Sequence, residues 1–110
     1  MTAQWSVEAE TESARGGGPR YREFLRVPAL SAGTYVLPAG GVDRQSPHGE
    51  DEVYYVVRGR GRFRNGPEDR EVGPGDVLFV PAHREHRFHE ITQELVLLVV
   101  FGPAEGTPTA

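Results

Sequence analysis

Hydrophobic and polar positions alternate along this chain in short segments, and glycine or proline separates one segment from the next. β-Branched and aromatic residues dominate these segments, and no uninterrupted run is long enough to predict a helix. Turn signals lie between the segments, among them Asn65-Gly66 and Gly73-Pro74-Gly75-Asp76. Strands are predicted at 21–27, 30–37, 52–57, 60–64, 71–72, 77–80, 86–89 and 95–101. Short strands with regular turns indicate an all-β sandwich or barrel.

The alternation also predicts which side chains face inward. In segment 52–57, one face carries Glu52, Tyr54 and Val56, and the other carries Val53, Tyr55 and Val57. Both faces are largely apolar, so this strand is predicted to be covered on both sides. In segment 60–64, Phe63 is expected to point inward and the alternating arginines outward.

The two ends of the chain are predicted to lie outside the barrel. Residues 1–20 contain several glutamates and the run Gly16-Gly17-Gly18-Pro19, so they are interpreted as a flexible tail or arm that forms no helix or core strand. Trp5 and Val7 are exceptions, and they are candidates for docking on the body or on a partner subunit. The barrel is predicted to span residues 21–102, followed by a tail at 103–110.

The composition restricts the class of protein. The 110 residues suffice for one domain, the net charge is −4 and there is no cysteine. The sequence has no stripe of basic residues that would predict a nucleic-acid partner. It also has no apolar run long enough for a signal peptide or a membrane span. We therefore expect a cytoplasmic protein without membrane contact, in which any metal is held by nitrogen and oxygen ligands.

Two histidine-containing clusters carry the candidate chemistry. The first spans residues 45–52, and the second contains His83, His86 and His89. On a straight strand His48 and Glu52 would lie ~13 Å apart, whereas the ligands of one metal converge to bonds of ~2.0–2.2 Å. The backbone is therefore expected to bend at Gly49, and His86 to come from a neighbouring strand. Two imidazoles and one carboxylate suit iron, zinc, nickel or manganese.

The spacing of these residues resembles the two sequence motifs of the cupin superfamily. The end of the first motif, G-(x)5-H-x-H-(x)3,4-E-(x)6-G, is matched by His48, Glu52 and Gly59. The second motif, G-(x)5-P-x-G-(x)2-H-(x)3-N, is matched by Gly75, Pro81 and His86. The resemblance covers roughly residues 22–101 and implies a double-stranded β-helix, or jelly-roll barrel. It also implies a divalent metal ion bound by the histidines and the glutamate of the two motifs.

The chain departs from both motifs. Ser46 or Gln45, depending on the spacing, stands where the first motif has its leading histidine. His83 replaces the glycine of the second motif, and Glu90 replaces its asparagine. The implied ligand set is thereby reduced to His48, Glu52 and His86. Gln45 is the stronger candidate for a fourth ligand or for a hydrogen bond to a metal-bound water.

The alternation along the predicted strands also indicates which other side chains face the barrel interior. Tyr54 and Phe88 are predicted to face the barrel interior and are the candidate substrate-binding residues. Tyr54 either hydrogen-bonds a substrate or fills the interior. Tyr35 and Leu37 are further candidates for cavity lining. Glu50 and Asp51 are expected to be solvated turn residues, and Glu90 a surface residue. His83, in the turn after Pro81, and His89, on the face opposite His86, are expected to have no part in the site.

Three functional hypotheses follow from the resemblance. A cupin with an open metal position resembles dioxygenases, isomerases, decarboxylases and lyases that act on small organic molecules. A barrel without accessory domains also suits a non-catalytic module that binds a small ligand or a metal. The third hypothesis is a metal-free sugar epimerase-like enzyme, which requires a histidine base facing a tyrosine acid. Small single-barrel cupins are commonly dimers, so a homodimer is expected, with the edge strand near the N-terminus as its surface.

Overall fold

The structure, a computed structural model, describes residues 3–15, 20–44 and 47–108. Its elements are α1 (Val7–Ala14), β1 (Arg20–Val27), β2 (Leu30–Leu37), β3 (Asp51–Asn65), β4 (Glu68–Val72), β5 (Val77–Val80) and β6 (His86–Gly102). The strands pair antiparallel in the order β1-β2-β6-β3-β4, and β5 pairs with the first half of β3. The predicted all-β double-stranded β-helix is confirmed. No helix within the described ranges is long and apolar enough to cross a membrane.

The two central strands are longer than the sequence pattern predicted. β3 contains both predicted strands 52–57 and 60–64, and β6 contains both 86–89 and 95–101. The two strands pair with each other almost throughout, with register irregularities between Val56 and Arg62. Such bulges bend and twist a strand without ending its pairing. They also interrupt the alternation of inward and outward side chains. The hydrophobic pattern of the sequence therefore predicts a strand end at each bulge.

The prediction that residues 1–20 form no helix is wrong. Val7–Ala14 is an α-helix, and the side chain of its N-cap Ser6 accepts a hydrogen bond from the Ala9 amide at 3.3 Å. Trp5 packs on Phe24 with ring centroids 5.3 Å apart. Ion pairs join the helical segment to the sheet: Glu8 with Arg58 at 2.8 Å, Glu10 with Arg22 at 3.3 Å, and Arg15 with Glu94 at 2.8 Å. So short a helix is marginal alone, and tertiary contacts stabilise it here.

The two faces of β3 have different surroundings. Phe63 is buried in the core, as predicted, and the arginines on either side of it point outward. Val53 and Tyr55, on the outer face, are 36% and 43% exposed, and their cross-strand neighbours Phe79 and Val77 are exposed as well. The prediction that both faces of this strand are covered is therefore wrong, because no described element packs on the outer face here.

Among the described residues, two that are not glycine have a left-handed backbone. The φ angle is 69° at His83 and 46° at Glu90. These are the positions where the second cupin motif has glycine and asparagine, the residues that adopt this conformation most readily. Both departures from the motif therefore add local backbone strain, His83 in the turn before β6 and Glu90 within β6.

Replacing His83 by glycine is expected to raise the free energy of unfolding by about 0.5–1 kcal/mol, because glycine is unstrained at this φ angle. The His83 side chain is exposed, so its removal loses little packing. Ala82→Gly is the matched control. Its φ is not positive, so it should lower stability by about 0.5–1 kcal/mol. Urea denaturation measures both changes, and equal losses in the two variants would contradict the strain at His83.

Candidate metal centre

The structure brings His48, Glu52 and His86 together. One ligand atom from each residue lies within 4.8 Å of the other two. Glu52 lies on β3, His86 begins β6, and His48 lies in the loop before β3. The side chains of Glu52 and His86 are each 1% exposed, and that of His48 is 20% exposed. The cluster is therefore buried on two sides and reachable from the side of His48.

The loop before β3 bends so that His48 can reach Glu52. The bend lies at Gly49 and Glu50, and it removes the ~13 Å separation that a straight strand would impose. The His48 carbonyl accepts a hydrogen bond from the His83 amide at 2.6 Å. The Glu50 carboxylate accepts one from the Gly106 amide at 3.2 Å. Glu50 is only 6% exposed, so the prediction of a solvated position is wrong: its partner comes from the far end of the chain.

The polar atoms of the two buried residues lack hydrogen-bond partners among the described residues. These atoms are both carboxylate oxygens of Glu52 and the Nε2 of His86. Nε2 lies 3.1 Å from Oε1 of Glu52, but the two atoms do not have the geometry of a hydrogen bond. Nδ1 of His86 lies 2.9 Å from the Arg84 carbonyl. Because a carbonyl only accepts, Nδ1 carries a proton, and in the neutral ring Nε2 presents its lone pair to the cluster.

The surroundings of His86 favour a positive charge. Burial on its own lowers the pKa of His86, but the Glu52 carboxylate and the Arg84 carbonyl outweigh this effect. The pKa of His86 is therefore raised above its ordinary value. The same negative groups stabilise a metal cation at this position.

The three residues fit a divalent metal ion. Two atoms that each lie ~2.0–2.2 Å from one ion are at most ~4.4 Å apart, so atoms within 4.8 Å of one another need only a small inward shift. Two imidazoles and one carboxylate bind iron, zinc, nickel or manganese and leave coordination positions open. Gln45 and Ser46, the candidates at the position of the missing histidine, lie outside the described residues.

A cavity of about 170 Å³ adjoins the cluster. Its walls are formed by Tyr21, Tyr35, His48, Glu52, Val99, Phe101 and Glu105. Pockets for drug-sized ligands measure roughly 300–1,000 Å³, so this one suits a smaller molecule. The predicted substrate-binding residues Tyr54 and Phe88 are 0% and 1% exposed, and their ring centroids lie 5.0 Å apart. Leu37, a further lining candidate, is fully buried in the core.

Three residues near the site carried no signal in the sequence. Asp43 is buried and accepts hydrogen bonds from the Tyr35 hydroxyl at 2.7 Å and from the Phe88 amide at 2.9 Å. Tyr21 enters the cavity from β1, and Glu105 enters it from the predicted C-terminal tail. None of the three has a fixed spacing to either motif, so only the folded chain shows their place.

The other polar candidates lie away from the cluster. Glu90 and Asp51 are exposed, in agreement with the prediction, and His83 is exposed as well. His89 is half-buried, and its Nε2 lies 2.9 Å from Oδ1 of Asp69. These residues therefore lie outside the candidate cluster of His48, Glu52 and His86.

Comparison with known proteins shows extensive similarity to one family. Residues 33–101 match the family described as Cupin domain. An uncharacterised protein of Streptomyces coelicolor is 47% identical over 99 residues, which cover 90% of this chain and 93% of that protein. The crystal structure of TT1209 from Thermus thermophilus has a TM-score of 0.81 at 23% identity, covering 94% of this chain and 99% of that one. This structural likeness shows the fold alone.

Two relatives with named activities are more distant. The dimethylsulfoniopropionate lyase DddQ of Ruegeria pomeroyi is 29% identical over 82 residues, 73% of this chain and 41% of the lyase. Acireductone dioxygenase 1 of Coprinopsis cinerea is 35% identical over 78 residues, 64% of this chain and 44% of the dioxygenase. This chain matches less than half the length of either enzyme. Because the family match extends over most of the barrel and includes His48, Glu52 and His86, the chain belongs to the cupin family.

Proposed function

We propose that this cupin holds a divalent metal ion (iron, zinc, nickel or manganese) at His48, Glu52 and His86 and acts on a small organic molecule in the adjoining cavity. The observation that carries the proposal is the set of buried atoms without hydrogen-bond partners, among the described residues, on Glu52 and His86. An unpaired buried polar atom costs about 1–3 kcal/mol. A purely structural polar network would therefore be expected to pair these atoms internally.

Residues around the proposed ligands orient their side chains and exclude water from the cavity. When bound, the ion would supply Lewis-acid polarisation of a substrate oxygen. The Arg84 carbonyl holds His86 in the tautomer that a metal requires. The His48 ring packs edge-on against Phe101 with centroids 5.1 Å apart, which restricts its orientation. Val99 and Phe101 are 1% and 2% exposed, and these apolar walls exclude water from one side of the cavity.

Catalysis is the favoured form of this function. Similarity to a lyase and to a dioxygenase supports a lyase-, dioxygenase- or isomerase-like reaction. The alternative is a non-catalytic cupin that binds a small ligand or a metal. A metal-free sugar epimerase-like enzyme is less well supported, because Tyr54, whose ring lies 6.1 Å from that of His86, is fully buried. The homodimer and the cytoplasmic location expected from the sequence stay predictions.

The metal content of the untagged protein tests the proposal. We expect about one ion per chain after incubation with Fe(II), Zn(II), Ni(II) or Mn(II). His86→Ala should lower the affinity at least ~100-fold, because it removes a direct ligand. His89→Ala is the matched control, since His89 pairs with Asp69 outside the cluster. Mass spectrometry of the bound metal and titration calorimetry measure both quantities.

A wild-type protein that binds none of the four metals would contradict the metal centre. Equal metal content in the wild type and in His86→Ala would contradict it as well, because the ion would then lie elsewhere. Turnover of dimethylsulfoniopropionate, acireductones and other small organic compounds, measured with and without O₂, separates an enzyme from a binding module. Metal binding without any turnover would favour the non-catalytic alternative.

A further inference from the structure

The Tyr21 hydroxyl is buried without a hydrogen-bond partner among the described residues, although its ring lines the cavity beside Glu52. Edge-to-face contacts hold the ring against Tyr35 at 6.4 Å and Phe101 at 6.2 Å. Gly33 makes room for it, since a Cβ there would lie 2.5 Å from the Tyr21 hydroxyl. An unsatisfied buried hydroxyl lowers stability. A donor kept unpaired at a cavity wall is therefore available to a ligand.

Tyr35 provides an internal contrast. It lines the same cavity, but its hydroxyl donates a hydrogen bond to Asp43 at 2.7 Å. The protein thus satisfies one of the two tyrosine hydroxyls itself. The Tyr21 hydroxyl has no such acceptor among the described residues.

The charged groups of the cavity wall restrict what can enter. The Glu105 carboxylate lies in the wall, 3.9 Å from Nδ1 of His48. Its backbone is fixed, because its amide donates to the Ser31 hydroxyl at 2.8 Å and its carbonyl accepts from Arg26 at 2.6 Å. Glu52 contributes a second carboxylate to the same wall. A bound ion would offset the charge of Glu52, so Glu105 is the negative charge that an anionic molecule still meets in the loaded site. In the metal-free cavity an anionic molecule meets both carboxylates, whereas an uncharged molecule meets no charge repulsion.

We propose that Tyr21 donates a hydrogen bond to an oxygen of the bound molecule, and that this molecule is small, uncharged and bears a carbonyl or hydroxyl oxygen. The inference rests on the proposed metal centre, because the ion and Tyr21 would bind the same molecule from two sides of the cavity. Tyr21 then orients the molecule, and Glu105 selects against anions.

The stability of two tyrosine variants gives the first test. Tyr21→Phe removes an unpaired hydroxyl, so the metal-free variant should unfold at the wild-type temperature or up to about 5 °C higher. Tyr35→Phe leaves Asp43 without its donor and should unfold several degrees lower. Differential scanning calorimetry measures both. A midpoint of Tyr21→Phe as low as that of Tyr35→Phe would show that the Tyr21 hydroxyl has a structural partner, and would overturn the inference.

Binding of dihydroxyacetone, an uncharged hydroxycarbonyl compound, gives the second test. In calorimetric titrations of the Co(II)-loaded and metal-free protein, Tyr21→Phe should raise the Kd roughly 3- to 10-fold, as expected for one hydrogen bond. Tyr55→Phe, on the exposed outer face of β3, is the control and should bind like the wild type. Pyruvate, an anion of similar size, should bind the metal-free wild type more weakly than dihydroxyacetone does.

Three results of these titrations would overturn the inference. They are equal affinity of the wild type and Tyr21→Phe, no binding of dihydroxyacetone by the wild type, and a preference of the metal-free wild type for pyruvate. Failure of Co(II) to bind would be a separate result, which removes the metal centre. The role of Tyr21 is then decided by the titration of the metal-free protein alone.

Discussion

Replacing Gly59 by alanine is expected to abolish folding of the barrel. Gly59 lies in the bulged part of β3 with a φ angle of 100°, which alanine adopts only with strain. A Cβ there would lie 2.1 Å from the Glu94 carbonyl oxygen and 2.7 Å from the Leu95 Cα. Both are backbone atoms of β6, so relief of the clash requires β3 and β6 to separate. The expected loss exceeds about 4 kcal/mol, out of the ~5–15 kcal/mol that stabilises a typical domain.

Gly75, the first glycine of the second motif, is the matched control. Its φ angle is 93°, but a Cβ there would meet no described atom within 4 Å. Gly75→Ala should therefore lose only about 1–2 kcal/mol. Soluble yield and urea denaturation followed by circular dichroism compare the two variants. If Gly59→Ala folded with a stability within about 1 kcal/mol of Gly75→Ala, the close contact between β3 and β6 would not be needed.

Replacing Glu52 by glutamine is expected to weaken metal binding at least ~100-fold. At a pH where His86 is neutral, the exchange should leave the metal-free stability nearly unchanged, because the Glu52 carboxylate stabilises only the charged form of His86. The amide keeps the shape of the side chain but removes the negative charge that attracts the ion. In the wild type neither carboxylate oxygen of Glu52 has a hydrogen-bond partner among the described residues, so the exchange breaks no internal hydrogen bond. Zn(II) at about 100 times its wild-type Kd should stabilise the wild type by about 2.7 kcal/mol and the variant by no more than about 0.4 kcal/mol. Thermal unfolding with and without Zn(II) measures the difference.

Glu50→Gln provides the control for this experiment. Glu50 is also buried, but its carboxylate is bonded to the Gly106 amide and lies outside the ligand cluster. This variant should keep the stabilisation by Zn(II). If Glu52 and His86 formed a structural ion pair instead, removing one partner would cost about 3–5 kcal/mol in the metal-free protein. Such a loss, together with no effect of Zn(II) on the wild type, would contradict the metal centre.

The residues of the candidate metal centre could be selected from the sequence because their spacing to special backbone positions is local. Glu52 stands at a fixed distance before Gly59, and His86 follows Gly75 and Pro81. The two glycines have φ angles of 100° and 93°, which other residues adopt only with strain. A sequence that keeps such glycines at these intervals therefore also specifies the turns that bring the ligands together.

Two errors of the sequence interpretation share one physical cause. The helix Val7–Ala14 was missed because its propensity is weak, and ion pairs to Arg22 and Arg58 contribute to its stability. The sequence predicts a solvated Glu50, because its hydrogen-bond partner Gly106 lies in a segment that is predicted to be a tail. Each error concerns a residue whose environment is supplied by a distant part of the chain.

Strand alternation, turn residues and motif spacing are properties of short stretches, and they suffice to predict the β-barrel and its three candidate ligands in this protein. The cavity beside those ligands depends on long-range packing. Tyr21 from β1 and Glu105 from beyond β6 meet in one wall, although nothing local marks either residue. The Tyr21 hydroxyl and the Glu52 oxygens have no hydrogen-bond partner among the described residues. Whether such atoms find a partner depends on the groups that surround them after folding. A residue type shows which bonds a side chain can form, and the folded chain shows which of them remain for a ligand.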